Sequence, residues 1–177
     1  DIHLEDLRSA ISHMPQEPVL FAGTLRDNIA FTSDTSEDRR LSEVLTRASF
    51  KEALSFREGL HTVIGEKGII LSGGQKQRTV FARTLLKEAP IFLFDDPVSQ
   101  VDKETGDRLI ETIKTLGSDK SIIIASHRIA AVRFADRIIV LEKGRIAASG
   151  SHNELLRVNP YYAKTFALQE MERAYHA

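Results

Sequence analysis

The amino-acid sequence predicts an α/β fold: a parallel sheet with covering helices, interrupted by an inserted helical subdomain. Two observations carry that expectation. Four short apolar runs, residues 10–14, 91–94, 121–125 and 137–141, end in polar residues or turns and alternate with longer segments of helical period. That is the pattern of strands buried on both faces by helices. Between the first two runs the chain reads mostly as helix, notably over 37–50 and 72–88, with no strand of comparable quality. This stretch is the expected insertion.

Each remaining element has its own local signal. Asp102 is a helix-capping residue, and Leu109, Ile110, Ile113 and Leu116 follow at helical spacing, so 102–116 should cover a sheet face with those four in the core. The fourth apolar run enters a turn at Lys143-Gly144, a two-residue hairpin connection that returns 146–149 as its antiparallel partner. The tail from Ser151 to Tyr175 opens with Ser151 and Glu154 three apart, a capping-box pattern, and should be helical with a break near Asn159-Pro160.

Composition narrows the function classes. At 177 residues, with 28% charged and 42% hydrophobic side chains, the chain has the size and make-up of one soluble globular domain or part of one. Lys and Arg number 24 against 25 Asp and Glu, a net charge of -1, which gives no nucleic-acid footprint. Cysteine is absent, so there is no disulfide framework and no thiolate zinc site, and the six histidines show no metal-ligand spacing. No apolar run approaches the roughly 20 residues needed to cross a bilayer. The first residues, Asp1-Ile-His-Leu-Glu-Asp, have neither a basic start nor an apolar core of the signal-peptide kind. The chain does not begin with Met, and a strand pattern appears within its first dozen residues, so residue 1 is expected to be a cut point inside a longer protein.

In an open parallel sheet, ligands bind beyond the carboxyl ends of the strands. The residues there are Gln16, then Asp95 with Asp96, then Ser126 with His127. An amide, two carboxylates and an imidazole at neighbouring strand ends form a set that can bind a metal-phosphate and activate a water. Taken singly, each is explained as a turn residue, a helix cap or a helix N-terminal histidine. Leu71-Ser-Gly-Gly-Gln-Lys-Gln-Arg78 adds a serine and two glycines at the start of a strongly helical stretch, where backbone N–H groups and the helix dipole favour an anion.

That octet resembles the signature motif of the ABC transporter ATPase family without a mismatch, and the resemblance extends over nearly all of the chain in the family's order. It implies a P-loop NTPase-like core, ATP and Mg²⁺ as cofactors, and an exporter. Residues 12–18 look like the Q-loop, with Gln16 helping to bind Mg²⁺ and the attacking water. Residues 91–97 are similar to the Walker B motif, with Asp95 holding Mg²⁺ and Asp96 at the position of the catalytic carboxylate. Ser99-Gln-Val-Asp102 resembles the D-loop, placing Asp102 at a dimer interface, and His127 matches the switch histidine that contacts the γ-phosphate. Residues 62–68 look like the X-loop of exporters, whose Glu66 would touch the coupling helices of a transmembrane domain, and residues 21–29 also follow the exporter pattern. A family dimer pairs one chain's Walker motifs with the other's signature, so Ser72, Gly73, Gly74 and Gln75 would bind ATP in trans. The implied organisation is 1–16 as part of the ATPase core ending in the Q-loop, 17–80 as the helical subdomain with X-loop and signature, and 81–177 as the remaining core with C-terminal helices. The implied location is the cytoplasmic face of the inner or plasma membrane, with no nucleic acid as partner.

Two departures qualify the resemblance. No Gly-x-x-x-x-Gly-Lys-Ser/Thr string occurs: Gly68 and Gly73 have the spacing but are followed by Gly74 and Gln75. The phosphate-loop strand and the antiparallel subdomain are therefore expected upstream of Asp1, and the chain alone is expected to be inactive. Asp96 stands where the resemblance leads one to expect Glu, one methylene longer, which would slow a general base that must sit within about 2.6–3.2 Å of its proton. That change, with the altered D-loop, points to the degenerate half of a heterodimer; a homodimer that tolerates Asp is the alternative. A soluble ABC ATPase of DNA repair or translation and a non-catalytic ABC module are the competing functions. The X-loop and the exporter-like segment favour transport.

Overall fold

The computed structural model describes residues 2–31, 37–65, 68–117 and 119–175. The chain divides into two compact units, Asp1–Ala125 and Ser126–Ala177. In the first unit the order is α1 (Leu4–Ala10), β1 (Ile11–Met14), β2 (Gly23–Thr24), α2 (Leu25–Ile29), α3 (Asp38–Arg47), two 3-10 turns, β3 (Val63–Ile64), α4 (Gly73–Leu86), β4 (Ile91–Asp95), α5 (Lys103–Lys114) and β5 (Ser121–Ala125).

The sheet of this unit is parallel, in the order β1-β4-β5. Ile11 lies opposite Ile91 and Met14 opposite Phe94, while Ile91 to Asp95 pair with Ser121 to Ala125. Phe92, Phe94 and Met14 are buried, and the Phe94 ring stacks on Phe81 of α4 at 5.6 Å. The Ser12 hydroxyl donates to the Thr84 carbonyl at 2.8 Å, which pins β1 to α4 in the core. On α5, Leu109, Ile110 and Ile113 are buried as the helical spacing predicts, but Leu116 is half-buried because the helix ends at Lys114.

Helix α3 stops earlier than the apolar pattern implied. Ser49 takes φ 53°, and the Ser49 and Phe50 N–H groups donate back to Thr46 and Leu45 carbonyls at 3.0 and 2.8 Å. That is a Schellman closure, with a serine in the left-handed position usually held by glycine.

The fourth apolar run does not join the parallel sheet. In the second unit it forms β6 (Ile138–Glu142), paired antiparallel with β7 (Arg145–Gly150) alone. Lys143 and Gly144 both have positive φ, 50° and 74°. This is the type I′ geometry whose twist matches a hairpin, so the strand is captured by its neighbour in sequence. Helices α6 (His152–Val158) and α7 (Pro160–Tyr175) cover it, and Ile129, Ile138, Val140, Leu155 and Tyr162 form the core of this unit. Ser151 and Glu154 make the reciprocal capping box, and Asn159 is extended (ψ 102°) ahead of Pro160, which separates the helices. Among the described residues, no helix is long and apolar enough to cross a membrane.

Candidate functional site

Asp95 closes β4, and Asp96 follows in a left-handed turn with φ 47° and 4% exposure. Few residue types tolerate that conformation, Asp and Asn among them. The turn is held by backbone bonds: Asp96 N–H donates to the Ala125 carbonyl at 2.8 Å, and Ser99 N–H donates to the Asp96 carbonyl at 3.2 Å. Gln16 lies just past β1, exposed, at the carboxyl end of the strand that neighbours β4. Gln16, Asp95 and Asp96 are therefore at one end of one sheet.

Helix α4 starts in the manner its sequence predicts. The Ser72 hydroxyl accepts from Gln75 N–H at 3.3 Å, and the Gln75 side chain accepts from Ser72 N–H at 2.9 Å. The two glycines that follow lie against the chain after β4. A Cβ on Gly73 would meet the Gln100 Oε1 at 2.9 Å, and one on Gly74 the Gln100 carbonyl oxygen at 3.0 Å. The glycines thus permit close approach of the α4 N-terminus to residues 100–101.

Gln77 makes that approach specific, and the sequence reading missed it. Its side chain is fully buried; Nε2 donates to the Asp96 carbonyl at 3.2 Å and to the Ser99 hydroxyl at 3.0 Å, while Oε1 accepts from Gln100 N–H at 2.9 Å. The available signal was position: Gln77 shares a face with Val80, Phe81 and Thr84, all buried, so a polar amide stands in an apolar stripe. A buried amide in such a place needs partners for both its ends.

The other expected site residues lie on other elements. Asp102 caps α5, its carboxylate engaged by Thr105, which holds it below the usual carboxylate range, chiefly through the backbone N–H and next the hydroxyl. His127 is exposed in the second unit, where its carbonyl accepts from the Gln169 side chain at 2.8 Å. Glu66 lies outside the described residues. In the exporter-like segment, Asn28 is buried and clamps Phe21 by accepting from its N–H at 2.8 Å and donating to its carbonyl at 2.9 Å. Arg83 adds a bond from Nε to the Asn28 carbonyl at 2.7 Å, and burial lowers its pKa.

Among the described residues no three His, Cys, Asp or Glu side chains cluster as a metal-binding group. Magnesium held mainly by phosphate and water needs only one or two protein oxygens, and Asp95 and Gln16 supply that donor type at the strand ends. The residues present therefore fit such an ion.

A parallel sheet with carboxylates at its strand ends, joined through Gln77 to the capped glycine start of a helix inserted between its strands, is the frame of an ATP-binding-cassette domain. The family profile described as ABC transporter matches residues 1–99, and the chain belongs to that family. It is 39% identical over 173 residues to an ATP-dependent lipid A-core flippase of Alkalilimnicola ehrlichii, covering 96% of this chain and 29% of that relative. It is 37% identical over 171 residues to a probable multidrug resistance ABC transporter ATP-binding/permease protein of Bacillus subtilis, again 96% of this chain and 29% of the relative. The solved structure of a bacterial Atm1-family ABC exporter with ATP bound superposes with a TM-score of 0.87 at 36% identity, covering 94% of this chain and 30% of that one. The chain thus spans less than a third of the length of these exporters.

Proposed function

We propose that this chain acts as the nucleotide-binding part of an exporter that couples ATP binding and hydrolysis to substrate export, with residues 17–80 as its helical subdomain between core segments 1–16 and 81–177. The observation that carries the reading is the join made by Gln77 between the start of α4 and the turn at Asp96. It fastens the glycine-rich helix start and the strand-end carboxylates into one body. In this reading Asp95 and Gln16 hold Mg²⁺, which neutralises charge on the phosphates when bound, and Asp96 accepts a proton from water. His127 donates toward the terminal phosphate. Ser72, Gly73, Gly74 and Gln75 offer helix-terminal N–H groups to the nucleotide of a second, matching domain, beside Asp102 at the dimer interface. Glu66 would face the transmembrane part.

We further propose that this chain is the half with the slower site. The Asp96 carboxyl is one methylene shorter than the Glu expected there, and its backbone is fixed by three bonds, so the turn has little freedom to make up the reach. The partner would then carry the faster site, which this chain's Ser72 to Gln75 complete.

Ser72→Arg in the complete transporter tests the central reading. A cation at the α4 N-terminus opposes the helix dipole and occupies the phosphate's approach. Steady-state ATP turnover is expected to be abolished; turnover near the wild-type rate would refute the assignment.

A further inference from the structure

We propose that Gln77 is a positioning residue for ATP turnover, setting the Asp96 turn and the Ser72–Gly74 helix start in fixed register. The inference rests on the functional reading above, and adds to it a group that touches neither phosphate nor water.

The geometry is one-to-many. One side chain on α4 holds a carbonyl, a hydroxyl and a backbone N–H spread over residues 96–100. Each half of the amide is used: the NH₂ gives both its hydrogens, and the oxygen takes one. No other uncharged side chain of this length offers two donors and an acceptor on one planar group. Glu would have no donor for the Asp96 carbonyl and would set a negative charge beside it; Met would fill the space and satisfy neither side. Gln77 is fully buried, and so is its bond to the Asp96 carbonyl, so water cannot replace that partner without a cavity for it.

What the amide holds is a conformation that costs energy. Asp96 is a non-glycine residue at φ 47°, a state kept only where its surroundings over-determine it. The bonds that do so arrive from β5, from Ser99 and from Gln77. Of these only Gln77 comes from α4, five residues along from Ser72. Gln100, whose N–H it binds, is also the residue against which Gly73 and Gly74 pack. A shift of the loop therefore moves Ser72 and Gly74, and a shift of the helix start moves Asp96. Placement errors of about 1 Å can cost on the order of 10²-fold in rate.

The test uses the complete transporter, with steady-state kinetics at a temperature where each variant is folded by circular dichroism. For Gln77→Met and Gln77→Glu, kcat is expected to fall on the order of 10–100-fold, because the displaced Ser72–Gly74 start completes the partner's faster site less well, while KM for ATP changes far less, because every group that meets the nucleotide is retained. Ser99→Ala, which removes one bond from the loop side and leaves α4 intact, should lower kcat in smaller measure, and Ser99→Thr, which keeps the hydroxyl, should restore it. Should the Gln77 variants not assemble, the Ser99 pair decides alone. A folded Gln77→Met with wild-type kcat, or Ser99→Ala equal to Ser99→Thr, overturns the proposal. Ser72→Arg run in parallel separates the two ideas. If it stops turnover while the Gln77 and Ser99 variants do not, only the positioning role fails. If it has no effect, the functional reading fails with it.

Discussion

The Asp102 carboxylate accepts two hydrogen bonds from Thr105, one from the backbone N–H at 2.9 Å and one from the hydroxyl at 2.8 Å. Both favour the charged form, the backbone bond most, so its folded pKa lies below the usual carboxylate range. A group depressed in this way contributes stability above its unfolded pKa and loses it as pH falls through the folded pKa. Asp102→Asn keeps a capping oxygen and binds no proton. It should shallow the loss of stability below about pH 4, without removing it, since Asp27 and Glu154 are depressed in the same manner by their own caps. Asp102→Ala should cost about 0.5–2 kcal/mol at neutral pH. Urea unfolding across pH measures both, and identical acid limbs for wild type and Asp102→Asn would exclude this role for the carboxylate.

Gly73 and Gly74 should differ under substitution by alanine. At Gly73 the new methyl meets only the flexible end of Gln100, at 2.9 Å, which can swing away. The helix-propensity gain of about 0.5–1 kcal/mol then dominates. At Gly74 it meets the Gln100 backbone oxygen at 3.0 Å, which is fixed by its own chain. Gly74→Ala should therefore be the less stable of the two in thermal unfolding. An equal gain at both sites would show that the close approach of α4 to residue 100 is absent in solution.

Asp96→Asn separates the two kinds of dimer. Asn tolerates φ 47° as Asp does, so the change removes the base with little backbone effect. If the partner carries the faster site, ATP turnover of the assembled complex should change little. In a homodimer, loss of a general base is expected to slow it on the order of 10²–10⁴-fold. A collapse of steady-state activity would make Asp96 a working base and end the slower-site proposal.

The 177-residue chain by itself should bind Mg-ATP weakly or not at all. It has no Gly-x-x-x-x-Gly-Lys-Ser/Thr loop, and the groups it does have contact the ion, the water and a second domain's nucleotide in the proposed mechanism. Calorimetric titration gives the answer directly. Saturable binding in the range of about 1–10 μM, near 7–8 kcal/mol of affinity, would mean the phosphates are held elsewhere on the chain.

Legible in the amino-acid sequence were the features whose partners lie within a few residues: the capping box at Ser151, the helix start at Ser72, the cap at Asp102, the turn at Lys143-Gly144 and the break before Pro160. These are backbone hydrogen-bond arrangements closed over three to five residues, and residue type and spacing specify them completely enough to read. The apolar runs likewise marked β1, β4, β5 and β6, and the positions of Asp95, Asp96 and Gln16 at strand ends followed from them. Tertiary structure decided which of the apolar runs join the parallel sheet. Residues 138–142 are as apolar as their predecessors, yet the adjacent turn delivers β7 to them first. It also decided the half-burial of Leu116 and the left-handed turn at Asp96. Gln77 is the sharpest case. Its partners lie 19 to 23 residues away on a different element, and a polar residue in an apolar stripe announces that it needs partners without naming them. Only the packing of α4 against the loop after β4 supplies them, because a buried amide is specified by the groups that surround it in space.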